Sequence, residues 1–129
     1  MMYSQYSGGA NINIEIVNSI FSGGYGAIYF GENVDLKIDN SLIFRPLSQE
    51  QIYANGISYK KEDFYLLGTG LISENPYFIL PAWGEEGDYH LLNNSPCIDS
   101  GEEFLAPLYD LENISRPMGD GFDMGAYEK

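Results

Sequence analysis

Two stretches of this chain coincide when one is shifted along the other by 22 residues: positions 14–20 read IEIVNSI and positions 36–42 read LKIDNSL. Ile14 falls on Leu36, Ile16 on Ile38, Asn18 on Asn40, Ser19 on Ser41 and Ile20 on Leu42. The match runs back to Asn11 with Asn33 and Ile12 with Val34. Apolar and polar residues alternate in both copies, the pattern of a strand with one buried face. A repeat of this length, built from short strands with Gly or Asn at the corners, suits one coil of a parallel β-helix. An antiparallel sandwich also uses short strands, but it has no reason to repeat Asn-Ser at a fixed interval.

Stacked coils lie about 4.8 Å apart, which predicts Glu15 beside Lys37 on the outer face and Asn18 on Asn40, the amides bonding along the axis. A weaker third copy, GTGLIS, sets Leu71 and Ile72 against Leu42 and Ile43 at an offset of 29. The extra length is assigned to an insertion loop near 45–61, which contains Pro46, Asn55 and Gly56. Residues 1–86 are thus read as coils, and 87–129 as a closing segment of the same domain.

Charge narrows the partners. The chain carries 19 Asp and Glu against 6 Lys and Arg, a formal net charge of -13. Phosphate neutralisation is therefore a poor basis for binding, and no nucleic acid partner is expected. No apolar run approaches the ~20 residues of a membrane-spanning helix, so membrane insertion is not expected. Neutral sugars and cations such as calcium are compatible with this field, whereas acidic polysaccharides need a local basic patch. No signal peptide is recognisable in this chain. Cys97 is the single cysteine, so no intrachain disulfide forms.

From Gly87 the composition changes. The chain reads GDYHLLNNSPCIDSG over 87–101, DLENISRP over 110–117 and FDMGAYE over 122–128. With Asn75, Pro76, Tyr77 and Phe78 before them, these ordered motifs resemble those of choice-of-anchor Q domain and right-handed β-helix repeat proteins of bacterial surfaces, which share the pectate-lyase-like fold. The resemblance implies an all-β, right-handed parallel β-helix, a single-stranded solenoid of about three coils with a C-terminal capping segment. It further implies an extracellular or cell-surface location. It implies no reaction, because fold alone does not transfer chemistry.

Several side chains are candidates for structure or chemistry. Asn18 and Asn40 form the expected ladder, and Arg116 is expected to pair with Asp99 or Asp123, pinning the tail to the body. Asp110, Glu112 and Asp120 are candidate calcium ligands. Asp110 and Glu112 fall where the resembled family often has Asp-x-Asp-Gly, though here Glu and Asn113 degrade that pattern, and a solvated acidic loop is the competing reading. His90 is the only histidine and needs carboxylate partners to act as base or ligand; a packed structural role competes. Cys97, between Pro96 and Ile98, reads as a buried, inert thiol.

Arg45, Lys60 and Lys61 are the candidate catalytic cations of a lyase-like reaction, against the plainer reading of a balanced surface loop, since Glu62 and Asp63 follow directly. Tyr53, Tyr59 and Tyr65, with Tyr25 and Tyr29 nearby, are candidate sugar-stacking residues, against burial inside a coil. The function expected is a non-catalytic C-terminal segment of a secreted or surface protein presenting a carbohydrate-binding or adhesive surface to a polysaccharide or glycan. The alternatives are a fragment of a polysaccharide lyase or glycoside hydrolase, and a purely structural cap or truncated gene product. Because Ser7-Gly8-Gly9 leads straight into the first coil, self-association through an uncapped N-terminal edge is also expected.

Overall fold

A computed structural model describes residues 10–82 and 86–129. The first coil's approach at Ser7-Gly8-Gly9 lies outside the described residues. Nine short strands follow in order: β1 (Ile12–Val17), β2 (Ile20–Ser22), β3 (Ile28–Tyr29), β4 (Val34–Asp39), β5 (Leu42–Phe44), β6 (Ile52–Ala54), β7 (Ile57–Tyr59), β8 (Phe78–Leu80) and β9 (Asp88–Leu91). A 3-10 helix, Lys61–Leu66, follows β7.

The 22-residue repeat is a pairing register. β1 runs parallel to β4 with Ile12 opposite Val34 and Val17 opposite Asp39, and β2 runs parallel to β5 with Ile20 opposite Leu42. Lys37 reaches Glu15 at 3.4 Å, as expected, and Asp39 more closely at 2.6 Å. Asn18 and Asn40 sit between the paired strands at φ of 53° and 42°, a left-handed bend that Asn tolerates better than other non-glycine residues. Each following serine bonds the carbonyl two residues back, Ser19 to Val17 and Ser41 to Asp39. The repeated Asn-Ser is therefore a corner: one residue makes the bend and the next satisfies a carbonyl at its edge.

The expected asparagine ladder is not formed. Asn18 instead exchanges two hydrogen bonds with the backbone of Glu102, at 2.7 and 2.6 Å, and Asn40 donates to Ser100 at 3.4 Å. Both asparagines tie the corners to the closing segment.

The expected solenoid is overturned. Among the described residues the strands form four small sheets, of two strands in three cases and three in the other, with no continuous parallel stack. Antiparallel pairs occur in two of them, β6 with β7 and β8 with β9. The physical cause lies in the expected insertion loop. Asn55 and Gly56 take φ of 52° and 76°, the two positive values of a tight hairpin turn, and they fold β7 back on β6 where another coil would run on. Asn55 also brackets the Val34 backbone, accepting from its N–H at 3.0 Å and donating to its carbonyl at 2.6 Å. The third copy pairs at a different register: Leu42 bridges Ile72 rather than Leu71.

Two cores flank β5. Ile43, fully buried, joins Ile38, Ile52, Phe64 and Leu67 on one side, and Leu42, also fully buried, joins Leu91, Cys97 and Met124 on the other. A strand buried on both faces needs an unbroken apolar run, which Leu42-Ile43-Phe44 supplies. Each such side chain contributes roughly 1.5–3 kcal/mol. The closing segment packs against β5 and the β1–β2 corner: Leu91, Cys97 and Met124 share a core with Leu42, and Gly125 donates to Asn18 O. No helix among the described residues is long and apolar enough to cross a membrane.

Candidate functional site

The chain leaves β5 at Arg45-Pro46 and returns at Gln51, and the buried Gln51 side chain organises that loop. Its Oε1 accepts from Arg45 N at 3.2 Å while its Nε2 donates to Ser48 O at 2.6 Å. Across this loop stand Lys60 and Lys61, where β7 gives way to the 3-10 helix. That helix begins with the Lys60 N–H donating to Asp63 Oδ2 at 2.9 Å. Between the two walls lies a cleft of about 520 Å³, lined by Phe44, Arg45, Pro46, Ser48, Gln49, Gln51, Lys60, Lys61, Glu62 and Ser73.

Arg45, Lys60 and Lys61 line this one cleft. The Arg45 guanidinium is fixed by neutral partners: Nε donates to Gly26 O at 2.6 Å and Nη2 to Tyr25 O at 3.2 Å. Among the described residues none of the three forms an ion pair, while Lys37 is held by Glu15 and Asp39 and Arg116 by Glu128. Half of the chain's 6 Lys and Arg therefore line one cleft, alongside Glu62, in a molecule with net charge -13. An anion placed there meets Lys60 and Lys61 beside Arg45, with Glu62 as the opposing charge in the lining.

The three candidate tyrosines separate. Tyr53 stacks on Tyr29 with ring centroids 4.9 Å apart and planes 10° from parallel. Tyr59 is partly buried and packs on the Ile38 core. Tyr65 is 76% exposed on the 3-10 helix. Tyr29, which pairs with Tyr53 through the parallel β3–β6 register, carries no sequence signal beyond its residue type.

In the closing segment Arg116 does not pair with the carboxylate of Asp99 or Asp123. It lies 3.3 Å from Glu128, and donates to the carbonyls of Asp123 at 3.3 Å and Gly125 at 2.9 Å. Both ion-pair side chains are almost wholly buried, 2% and 0% exposed. Asp99 and Asp123 serve nearby as backbone acceptors, Asp123 Oδ1 from Asp99 N and Asp99 Oδ1 from Gly121 N, each at 2.8 Å. Burial, assisted by the charges of Glu128 and Asp99, pushes the Asp123 carboxyl above its ordinary range.

Asp110, Glu112 and Asp120 are not assembled as an oxygen cage. Asp110 accepts N–H groups from Glu112, Ile114 and Glu128; burial pushes its pKa up, but these bonds and Arg116 outweigh it and hold the carboxyl low. Glu112 turns to His90 Nε2 at 3.2 Å, and Asp120 is exposed. No group of three or more potential metal-ligating side chains converges among the described residues.

His90 gains the carboxylate partners it needs. Asp88 Oδ1 lies 2.6 Å from Nδ1, Glu112 lies at Nε2, and Tyr127 stacks on the ring at 4.0 Å. The bond to Asp88, with Glu112 adding, raises the imidazole pKa against the opposing push of partial burial. With both nitrogens held by carboxylates, this ring keeps a proton rather than abstracting one. Cys97 is fully buried and its thiol is pushed up to about 11 by burial, which suits an inert packing role.

The chain matches no protein-family model, curated protein or solved structure.

Proposed function

We propose that this protein is a non-catalytic module that binds an acidic polysaccharide, of the polyuronate class, in the Arg45–Lys60–Lys61 cleft. The observation that carries the reading is the convergence on one cavity of a strongly acidic chain of three cations that form no ion pair among the described residues. On a chain of net charge -13, a cleft lined by three cationic residues against one acid, Glu62, is a favourable place for an acidic glycan. The motif resemblance of residues 87–129 supports display outside the cell, where such polymers occur.

Retention on immobilised polygalacturonate, compared with neutral dextran and with polyglutamate, tests the reading. Polygalacturonate is expected to retain the protein and dextran to pass it. The Lys60→Ala, Lys61→Ala double variant is expected to bind roughly tenfold more weakly, the size of two exposed ion pairs. Equal retention on polyglutamate would overturn the sugar assignment in favour of an acidic peptide. Release of unsaturated products from polygalacturonate, followed by ultraviolet absorbance and lost in Lys60→Ala, would replace binding by lyase chemistry.

A further inference from the structure

The strand register joins the cleft to a second feature. In the β3–β6–β7 sheet, Tyr29 lies opposite Tyr53 and Tyr53 opposite Ser58. Their neighbours Ile28, Ile52 and Tyr59 pack into the core. Because side chains alternate along a strand, Tyr29, Tyr53 and Ser58 form one row on the outward face. Lys60 follows Ser58 by two positions with extended backbone, φ -91° and ψ 173°, so it continues that face about 7 Å further on. Arg45, through its bonds to Gly26 and Tyr25, ties the loop before β3 to the same cleft.

The tyrosine pair is also open to a ligand. Tyr29 stays 67% exposed although it stacks on Tyr53, which leaves its other ring face to solvent. A flat, apolar surface beside a cationic cleft complements a sugar acid, whose ring has an apolar C–H face and whose carboxylate projects from its rim. An acidic peptide offers the charge without a repeating flat face.

We propose that the Tyr29–Tyr53 stack is a sugar-ring subsite continuous with the basic cleft, so that the protein takes an extended polyuronate segment rather than an isolated anion. The proposal rests on the reading of the cleft given above. One ring lies on Tyr29 while the carboxylate of a unit further along the segment reaches Lys60 and Arg45.

Calorimetric titration with monomeric galacturonate and with a galacturonate tetramer separates the two readings. The wild-type protein is expected to bind the tetramer at least tenfold more tightly than the monomer. Tyr29→Ala and Tyr29→Leu are expected to lose about five- to tenfold in tetramer affinity, the size of an aromatic stacking contact, while monomer affinity stays the same. Tyr29→Phe, which keeps the ring, is expected to retain binding. Unchanged tetramer affinity in both Tyr29→Ala and Tyr29→Leu, with Lys60→Ala still weakening it, would overturn the subsite and leave the cleft standing. Equal wild-type affinity for monomer and tetramer would overturn it as well. If Lys60→Ala and Lys61→Ala leave both affinities unaltered, the cleft reading itself falls and takes the subsite with it.

Discussion

His90 shows how one residue's surroundings decide between chemistry and structure. A lone histidine beside acids is compatible with a general base, but a base needs an unoccupied nitrogen. Here Asp88 and Glu112 take both positions and Tyr127 covers the ring. The clamp links β9 to Glu112 in the 110–113 turn and to Tyr127 near the C-terminus. Its folded pKa is raised, so its contribution to stability is complete below the ordinary imidazole value of about 6.5 and is lost as pH rises through the higher folded value. Monitoring His90 by NMR titration is expected to give a pKa above that of an exposed imidazole. Urea unfolding over the same pH range is expected to show a fall in stability as pH rises through that pKa, and His90→Gln to abolish that portion of the slope. A His90 titration at or below the ordinary value would refute the clamp.

At the scale of elements, close backbone approach matters as much as apolar pattern. The segment after the 3-10 helix lies along β4, with Ile38 N donating to Leu67 O and Asn40 N to Thr69 O. Gly68 sits between these bonds, and a Cβ there would overlap the Ile38 carbonyl and stand 2.6 Å from Asp39 Oδ1. Gly68→Ala is therefore expected to break this pairing and cost at least 2 kcal/mol, roughly the scale of overpacking. Gly26→Ala, at φ 73° with nothing within 4 Å, should cost only the conformational penalty of about 1 kcal/mol. Thermal and urea denaturation of the two variants compares them directly, and equal losses would show that the Gly68 contact is not limiting.

The same elements show what could be read from sequence. The 22-residue offset is legible because alternating side chains and the Asn-Ser corner repeat together, and it sets the β1–β4 and β2–β5 registers. The β6–β7 hairpin is announced by Asn55-Gly56, but extending the 22-residue period turns that signal into an insertion loop. The slip from Leu71 to Ile72 is illegible, because two adjacent apolar residues bury equally well in the two cores and cannot fix a register alone. Lys60 and Lys61 are adjacent in sequence, which makes their grouping accessible. The contact of Tyr29 with Tyr53 depends on a pairing offset of 24 that no repeat predicts. The Arg116 partner is likewise hidden, since several carboxylates lie nearby and only the folded C-terminal residues select Glu128.

For the whole molecule, charge sets two opposing ranges of interaction. The net charge of -13 repels an acidic polymer at long range, while in the proposed binding mode Arg45, Lys60 and Lys61 attract it at contact. Screening reaches about 30 Å at 0.01 M salt, about 10 Å at 0.1 M and about 3 Å at 1 M. Adding salt from the lowest level should first relieve the long-range repulsion and only later weaken the short contacts in the cleft. The association rate with oligogalacturonate is therefore expected to rise between about 0.01 and 0.1 M salt, and the dissociation rate to rise towards 1 M. Affinity should pass through a maximum in between, measurable by surface plasmon resonance. Removing the cleft charges in the Lys60→Ala, Lys61→Ala variant should leave the initial rise and erase the later fall. A wild-type affinity that drops steadily from the lowest salt would show that the cleft alone governs the encounter, with the acidic remainder of the surface too distant to oppose it.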